Sequence, residues 1–390
     1  MYIAILGRQP ELSLAELERL FGGVDTISPQ AALFDTSSTV DIQQLGGSQK
    51  IGRLIGELPL RDWRSTSMSL VRQIEKLWSS KSGKLTLGIS AYGFDVDVRD
   101  IQKTGLILKS KLKSADRSVR LVPNQTPELS TATAHHNKLG LSENKIELLV
   151  IRGTNGIYIA ESLGSQNITA LAARDQNRPK RDAFVGMLPP KLALMMINMA
   201  GLPPEHGHNP RLLDPFCGTG VTLQEALIRG YSVYGTDLSD KMIDYSRQNL
   251  DWLTSQFNVE HKDYKLETGD AMTHRWQSPV DLVVAEGYLG QPFSAPPSPK
   301  KLQEVRDNCQ HIISQFLVNL RSQIDAGTPV VLAVPAWRDA QGGFTHLPLS
   351  GSVSQYGYKN VGVRATNRSR LLYYRPDQIV ARELLILKAE

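Results

Sequence analysis

Short apolar runs alternate along this chain with stretches in which apolar residues recur every three or four positions, a pattern of strands separated by helices. Residues 2–6 read as a strand. Leu14, Leu17 and Phe21 then share one helical face, Ser13 with Glu16 three residues later has the spacing of a capping box, and Gly22-Gly23 stops the helix. With the apolar runs 31–34 and 51–58, the first ~60 residues make a small α+β unit that is marginal alone. From 85 onward the pattern predicts strands at 85–91, 119–122, 146–151 and 157–163, helices at 101–113 and 130–139, and a turn at Gly153-Thr154-Asn155-Gly156. On the helix at 101–113, Ile101, Leu108 and Leu112 form one stripe while Lys103, Lys109, Lys111 and Lys113 spread over the remaining surface. One face packs and the other is positive.

A polar stretch at 172–182 separates this part from a second series. Gly186-Met187-Leu188-Pro189-Pro190 opens a helix with proline near its first turn. Leu212-Leu213-Asp214-Pro215-Phe216-Cys217-Gly218-Thr219-Gly220 is a strand that runs into a tight loop, and Leu223, Ala226 and Leu227 continue as a helix to Gly230. A buried strand at 231–237 ends in Asp237, and a helix through Met242 and Leu250 follows. The next strand ends near 266–271, and another covers 280–285. Pro296-Pro297-Ser298-Pro299-Lys300-Lys301 reads as a stiff, exposed loop, ahead of a helix at 312–320, a strand at 330–335 and a hairpin of 370–374 with 384–387.

The 390 residues exceed one ordinary core, so two or three domains are expected. With 41% hydrophobic and 21% charged residues the composition is that of a soluble globular protein. No apolar run approaches the roughly 20 residues of a membrane helix, and the N-terminus lacks the basic flank of a secretion signal, so a cytoplasmic protein is expected. Cys217 and Cys309 build no disulfide framework and no paired zinc spacing. His206-Gly207-His208 sits in a Pro/Gly/Asn loop without a third ligand in suitable spacing, so no metal is expected.

Charge changes the picture through its distribution. Arg99, Lys103, Lys109, Lys111, Lys113, Arg117 and Arg120 face only Asp100 and Asp116 within 99–120, an excess equal to the net +5 of the whole chain. A second knot holds Arg174, Arg178, Lys180 and Arg181. Two such runs point to phosphate contacts.

The loop at 214–220 carries the chemistry. Gly218 and Gly220 let the backbone turn sharply and approach a ligand, and the following helix offers unpaired N–H groups. A dinucleotide-binding turn wants a third glycine where Leu223 stands, and a P-loop wants Lys-Ser/Thr after its last glycine; neither is met. Asp-Pro-Phe-Cys-Gly-Thr-Gly instead closely resembles motif I of S-adenosylmethionine-dependent methyltransferases, in the form that N-methyltransferases acting on nucleic acid carry. The resemblance implies a Rossmann-like α/β domain with S-adenosylmethionine as cofactor, held by Asp214, Phe216, Gly218, Gly220, Asp237, Asp270 and Ala271. Asp237, at the carboxyl end of the strand beside the glycine loop, is placed to accept from both ribose hydroxyls. Asp270 resembles the residue that accepts from the adenine amino group, with Ala271 lining the ring.

Glu286-Gly287-Tyr288-Leu289-Gly290-Gln291-Pro292-Phe293 occupies the place where amino-methyltransferases usually hold Asp/Asn-Pro-Pro-aromatic. An exocyclic amine is a poor nucleophile while its lone pair is delocalised, and acceptors for its protons localise that pair while an aromatic ring stacks the base. Tyr288 keeps the aromatic position, but the usual acid position falls on Ala285 and both prolines are missing. Either Glu286 takes over as acceptor, or the target chemistry differs or is lost.

Upstream, the element order, the stretch Ser130-Thr131-Ala132-Thr133-Ala134-His135-His136-Asn137-Lys138-Leu139 and the hairpin ending Gln166-Asn167 resemble a THUMP domain, a family that grips the acceptor end of tRNA. Over essentially its full length the chain is similar to THUMP-containing tRNA guanosine N2-methyltransferases that modify nucleotide 10. The organisation implied is a ferredoxin-like unit at 1–64, THUMP at 65–165, a linker at 166–184 and the methyltransferase domain at 185–390. The expected partner is tRNA, with the protein monomeric and a small activating partner left open. Competing readings are a non-catalytic RNA-binding protein that keeps the fold as scaffold, and methylation of DNA adenine or a protein amide, in which a THUMP module has no evident use.

Overall fold

Strand β1 (Tyr2–Leu6) is apolar along its length and is buried between two neighbours, β3 (Ala31–Phe34) and β4 (Ser48–Leu58), both antiparallel to it. The computed structural model describes residues 1–78, 83–182, 187–203, 209–257, 259 and 263–390. Among them the chain separates into two units, Met1–Leu17 with Phe21–Thr169, and Glu18–Leu20 with Ala170–Glu390.

In the first unit, α1 (Pro10–Phe21), β2 (Val24–Ser28), α2 (Trp63–Trp78), β5 (Leu85–Tyr92), α3 (Val98–Ser114), β6 (Val119–Leu121), α4 (Thr131–His136), β7 (Lys145–Arg152) and β8 (Ile157–Ser165) complete the set. The described strands form one sheet in the order β2-β3-β1-β4-β8-β7-β5-β6. The expected boundary at 64/65 falls within this sheet. β4 pairs with β8 from Lys50↔Ser165 to Leu58↔Ile157, so the edge that a free-standing small unit would expose is closed by the following segment.

Two further expectations change here. Ser13 and Glu16 do not box the helix start, because α1 begins at Pro10 and both side chains are buried within it. Ser13 Oγ donates to the Gly47 carbonyl at 2.7 Å, while Glu16 accepts the Gly46 and Gly47 N–H groups at 2.7 and 2.8 Å. The same Ser-x-x-Glu spacing thus clamps a distant loop. Helix α2, not anticipated from the pattern, buries Trp63, Leu70, Val71, Ile74 and Trp78 in the core shared with α3 and β5. On α3 the stripe appears as expected, with Ile101, Leu108 and Leu112 buried.

The second unit contains α5 (Ile168–Gln176), α6 (Pro190–Ala200), β9 (Arg211–Asp214), α7 (Val221–Ile228), β10 (Ser232–Asp237), α8 (Asp240–Gln256), β11 (Tyr264–Thr268), β12 (Leu282–Glu286), α9 (Pro299–Arg321), β13 (Pro329–Arg338), β14 (Phe344–Thr345), β15 (Tyr358–Asn360), β16 (Leu372–Tyr373) and β17 (Val380–Ala389). Its main sheet runs β11-β10-β9-β12-β13-β17-β15, parallel through β13 and antiparallel at β17. Strands such as Leu212-Leu213 and Leu282–Ala285 are continuously apolar because helices cover both faces. The order makes a doubly wound sheet that reverses direction between β9 and β12, and ligands bind outside the carboxyl ends of strands at such a point.

Three local expectations also shift. The linker at 166–184 contains helix α5, and its other proposed limit at 184/185 lies outside the described residues, as do Gly186 and His206-Gly207-His208. The loop at 296–301 is partly helix: α9 starts at Pro299, capped by Ser298 Oγ accepting from the Lys301 N–H. The final hairpin forms as β16 against β17 at Leu372↔Glu383 and Tyr373↔Arg382. Among the described residues no helix is long and apolar enough to cross a membrane.

Candidate active site

Four neighbouring strands bring their carboxyl ends to one edge of the second sheet. Asp214 ends β9, Asp237 ends β10, Glu286 ends β12, and Asp270 follows β11 by two residues.

The glycine loop turns between β9 and α7. Gly218 and Gly220 have φ of +52° and +81°, in the left-handed region where a side chain is strained. A Cβ on Gly220 would stand 2.9 Å from Ser246 Oγ, whereas one on Gly218 would meet nothing nearer than the Phe216 carbonyl at 3.9 Å. Gly220 is therefore demanded by the approach of α8, and Gly218 has open space where a side chain would stand. Helix α8 also fixes the loop from outside, with Ser246 Oγ donating to the Gly218 carbonyl at 2.8 Å and Asn249 Nδ2 donating to the Thr219 carbonyl at 2.9 Å. Neither residue stands out in the linear pattern, because each acts through a contact almost 30 positions away.

Asp237 accepts the Gly218 N–H at 3.0 Å through Oδ2 and the Ser239 N–H at 2.9 Å through Oδ1. Burial raises its pKa while these two donors pull it back. Phe216 packs edge-on against Phe316, with ring centroids 5.0 Å apart. Asp270 Oδ1 accepts the Met272 N–H at 2.9 Å, and Ala271 is buried in the core beside Trp276. The Cys217 thiol is pushed up by burial, which leaves it inert.

Asp214 is buried at 2% exposure and accepts the Phe216 N–H at 3.1 Å. Burial first, and then the neighbouring Asp237 and Glu286, push it up to about 7. An acid raised in the fold above its unfolded value of about 3.9 favours the folded state fully below that value, and the contribution is lost as pH climbs through about 7. Asp214→Asn keeps the acceptor and removes the ionisation. Between about pH 5 and about pH 8, wild type should lose roughly 2–3 kcal/mol of stability relative to the variant, read by denaturant unfolding at the two values. Parallel pH profiles would refute this.

Glu286 is not a free carboxylate. Its Oε1 accepts from Nε of Arg382, which reaches it from β17, and the side chains are 17% and 6% exposed respectively. Arg382 lies two residues ahead of the apolar run at 384–387, and nothing local in the sequence ties it to a residue 96 positions earlier. Tyr288 is 40% exposed and lines a recess of about 160 Å³ with Gln291, Lys301, Glu304 and Asn308.

The basic residues divide. Lys103, Lys109, Lys113, Arg120 and Arg181 are exposed, and Lys111 is exposed but paired with Glu75 at 2.9 Å. Lys180 is half-buried with its Nζ over the Tyr245 ring. Arg117, Arg174 and Arg178 are withdrawn as phosphate contacts, because each is buried. Arg117 donates to the Trp78 carbonyl and to Asn144, Arg174 grips Glu225 of α7 with two bonds of 2.6 and 3.0 Å, and Arg178 reaches Met187 Sδ. A run of like charges in sequence does not distinguish a solvated guanidinium from one that staples two elements.

Residues 178–334 match the family described as RMKL-like, methyltransferase domain. This part of the chain is similar to a methyltransferase domain of that family. Among curated relatives, tRNA (guanine(10)-N2)-dimethyltransferase of Methanothermobacter thermautotrophicus is 28% identical over 43% of this chain and 45% of its own length, and that of Pyrococcus abyssi is 38% identical over 28% and 26%. The chain thus spans less than half the length of these relatives. The crystal structure of TrmN from Thermus thermophilus covers 100% of this chain and 99% of its own at 16% identity and a TM-score of 0.50, a likeness of fold. The methyltransferase domain has the Rossmann-like fold of S-adenosylmethionine-dependent enzymes, and its residues fit that cofactor: Gly218 leaves open space where a side chain would stand, directly beside the Asp237 carboxylate that accepts its N–H.

Proposed function

We propose that this chain is an S-adenosylmethionine-dependent tRNA methyltransferase acting on N2 of a guanosine, of the kind at position 10. One observation carries the reading: the glycine loop with Asp237 beside it lies on the same strand-end edge as Glu286, with Tyr288 two residues beyond. The names of the partially matching relatives supply the nucleic acid and the atom.

In this reading Gly218, Gly220 and Phe216 shape the cofactor cleft, Asp237 accepts the ribose hydroxyls and Asp270 the adenine amino group. The bound cofactor supplies an electrophilic methyl group. Tyr288 stacks the guanine, worth roughly 1–3 kcal/mol, which offsets much of the few kcal/mol that extruding a base costs. Glu286 accepts one N–H of the exocyclic amine, localising its lone pair, and takes the proton that the substituted nitrogen sheds. The first unit serves as a ferredoxin-like and THUMP module that holds the tRNA acceptor end, with Lys103, Lys109, Lys113 and Arg120 as phosphate contacts.

A second reading, an RNA-binding protein without catalysis, is favoured by Ala285 in the usual acid position. Labelled S-adenosylmethionine and unmodified tRNA separate the two. Wild type should transfer the methyl group, and Glu286→Gln should lower the rate about 10²-fold or more, in the range of general acid–base contributions. Tight tRNA binding with no transfer would decide for the scaffold.

A further inference from the structure

We propose that Arg382 is the positioning residue of this site: from β17 it anchors Glu286 by Oε1 and leaves Oε2 to accept the amino group of the target base. The inference rests on the reading of Glu286 as amine acceptor given above.

Strand geometry explains why the arginine is needed. Successive residues of β12 point to opposite faces, so moving the acid from position 285 to 286 moves the carboxylate across the sheet. Ala285 is fully buried in the core that α9 covers, together with Val283 and Leu332. Glu286 lies opposite Ala333 on β13, and Arg382 lies opposite Pro335, two residues further along the same strand. All four therefore share the face of the sheet away from α9, and Ala333 is small enough for the guanidinium to pass over it to the carboxylate.

The pattern of exposure is the reverse of a surface pair. A decorative arginine on the rim would snorkel outward over a covered acid. Here the guanidinium is at 6% exposure and the acid, at 17%, stands nearer solvent. Among the described residues Oε2 of Glu286 accepts no hydrogen bond, while Oε1 is held. The carboxylate is thus half anchored and half available.

The charged groups bearing on Glu286 come from two elements. Arg382 faces it from β17, and Asp214 from β9 is repelled by it. β13 presents Ala333 and Pro335 there, and α6, packed beneath β12, β13 and β17, has Lys191 as its one charged side chain. Burial pushes Glu286 up, and Arg382 opposes that push. Without the guanidinium the acid would hold its proton to higher pH and cease to accept from an amine.

The test is the pH profile of kcat for methyl transfer from labelled S-adenosylmethionine to unmodified tRNA, in wild type, Arg382→Gln and Arg382→Lys. Arg382→Gln should move the acid limb upward by about one pH unit or more, while cofactor affinity stays near wild type. Arg382→Lys keeps the charge but not the planar fork; it should keep the limb near its wild-type position and still lose about tenfold in kcat. A uniform drop at every pH with the limb unmoved in Arg382→Gln, or full activity in Arg382→Lys, would overturn the assignment. The Glu286 carboxyl band in infrared difference spectra, identified by its loss in Glu286→Gln, reads the same pair without tRNA. If wild type transfers no methyl group, the parent reading falls. The infrared titration then still decides on Arg382: a midpoint raised in Arg382→Gln upholds its hold on Glu286, and an unmoved midpoint ends it.

Discussion

Asp237→Ala is expected to raise the dissociation constant for S-adenosylmethionine by roughly a hundredfold or more, and to take methyl transfer with it at ordinary cofactor concentrations. The carboxylate is proposed to accept two ribose hydroxyls, and hydrogen bonds to a charged acceptor contribute about 1.5–3 kcal/mol each; losing two at the low end already gives that factor. The same side chain accepts the Gly218 and Ser239 N–H groups at 3.0 and 2.9 Å, so alanine also leaves two loop donors without their partner. Asp237→Asn separates the contributions. It keeps an acceptor but loses the charge and part of the acceptor capacity, and should cost about tenfold. Isothermal titration with the cofactor reads both values, and far-UV circular dichroism checks that the fold survives. Wild-type affinity in Asp237→Ala would remove the cofactor assignment of this edge.

The second large effect lies in the first unit and concerns stability. Lys50 and Glu147 form an ion pair in which both side chains are 1% exposed. Lys50 Nζ also donates to the Leu129 carbonyl at 2.6 Å, Ser90 Oγ donates to the Glu147 carboxylate, and Ser90 Oγ in turn accepts the Leu129 N–H at 2.8 Å. β4, β5 and β7 are thereby joined through one polar knot to the segment ahead of α4. Removing one charge of a buried pair strands the other in low dielectric, at a cost of about 3–5 kcal/mol. Glu147→Ala should therefore lower the stability of this unit by that amount, whereas Lys50→Met with Glu147→Leu should recover most of the loss because apolar replacements leave no charge unpaired. Urea unfolding of the full chain, followed at the transition that includes Trp78, measures both. A loss under about 1 kcal/mol in Glu147→Ala would mean that the pair is not buried in solution.

The methyltransferase half was legible to the extent that its requirements are local. The two glycines, the apolar strand before them and the helix after them sit within a dozen residues, so a linear reading captures them. The family match over 178–334 agrees with the resemblance. Helix α3 was legible for the same reason, since its buried stripe and basic remainder depend on helical period alone. The capping-box reading of Ser13 and Glu16 failed because two hydrogen-bonding uses share one spacing. The pattern cannot say whether their partners lie at the helix start or, as here, at Gly47 for Ser13 and at Gly46 and Gly47 for Glu16.

What the amino-acid order determined, then, is the strand-loop-helix at 212–230 and the acid that ends β10, because backbone conformations open to glycine and the ends of apolar runs are set by neighbours along the chain. Tertiary structure alone decided the rest. It closed the first unit into one sheet through β4 and β8, turned Arg117, Arg174 and Arg178 from candidate phosphate contacts into internal staples, and set Arg382 against Glu286 across β13. Each of these depends on strand register or burial between distant positions, where free energy depends on what else occupies the space, and linear spacing carries no record of it.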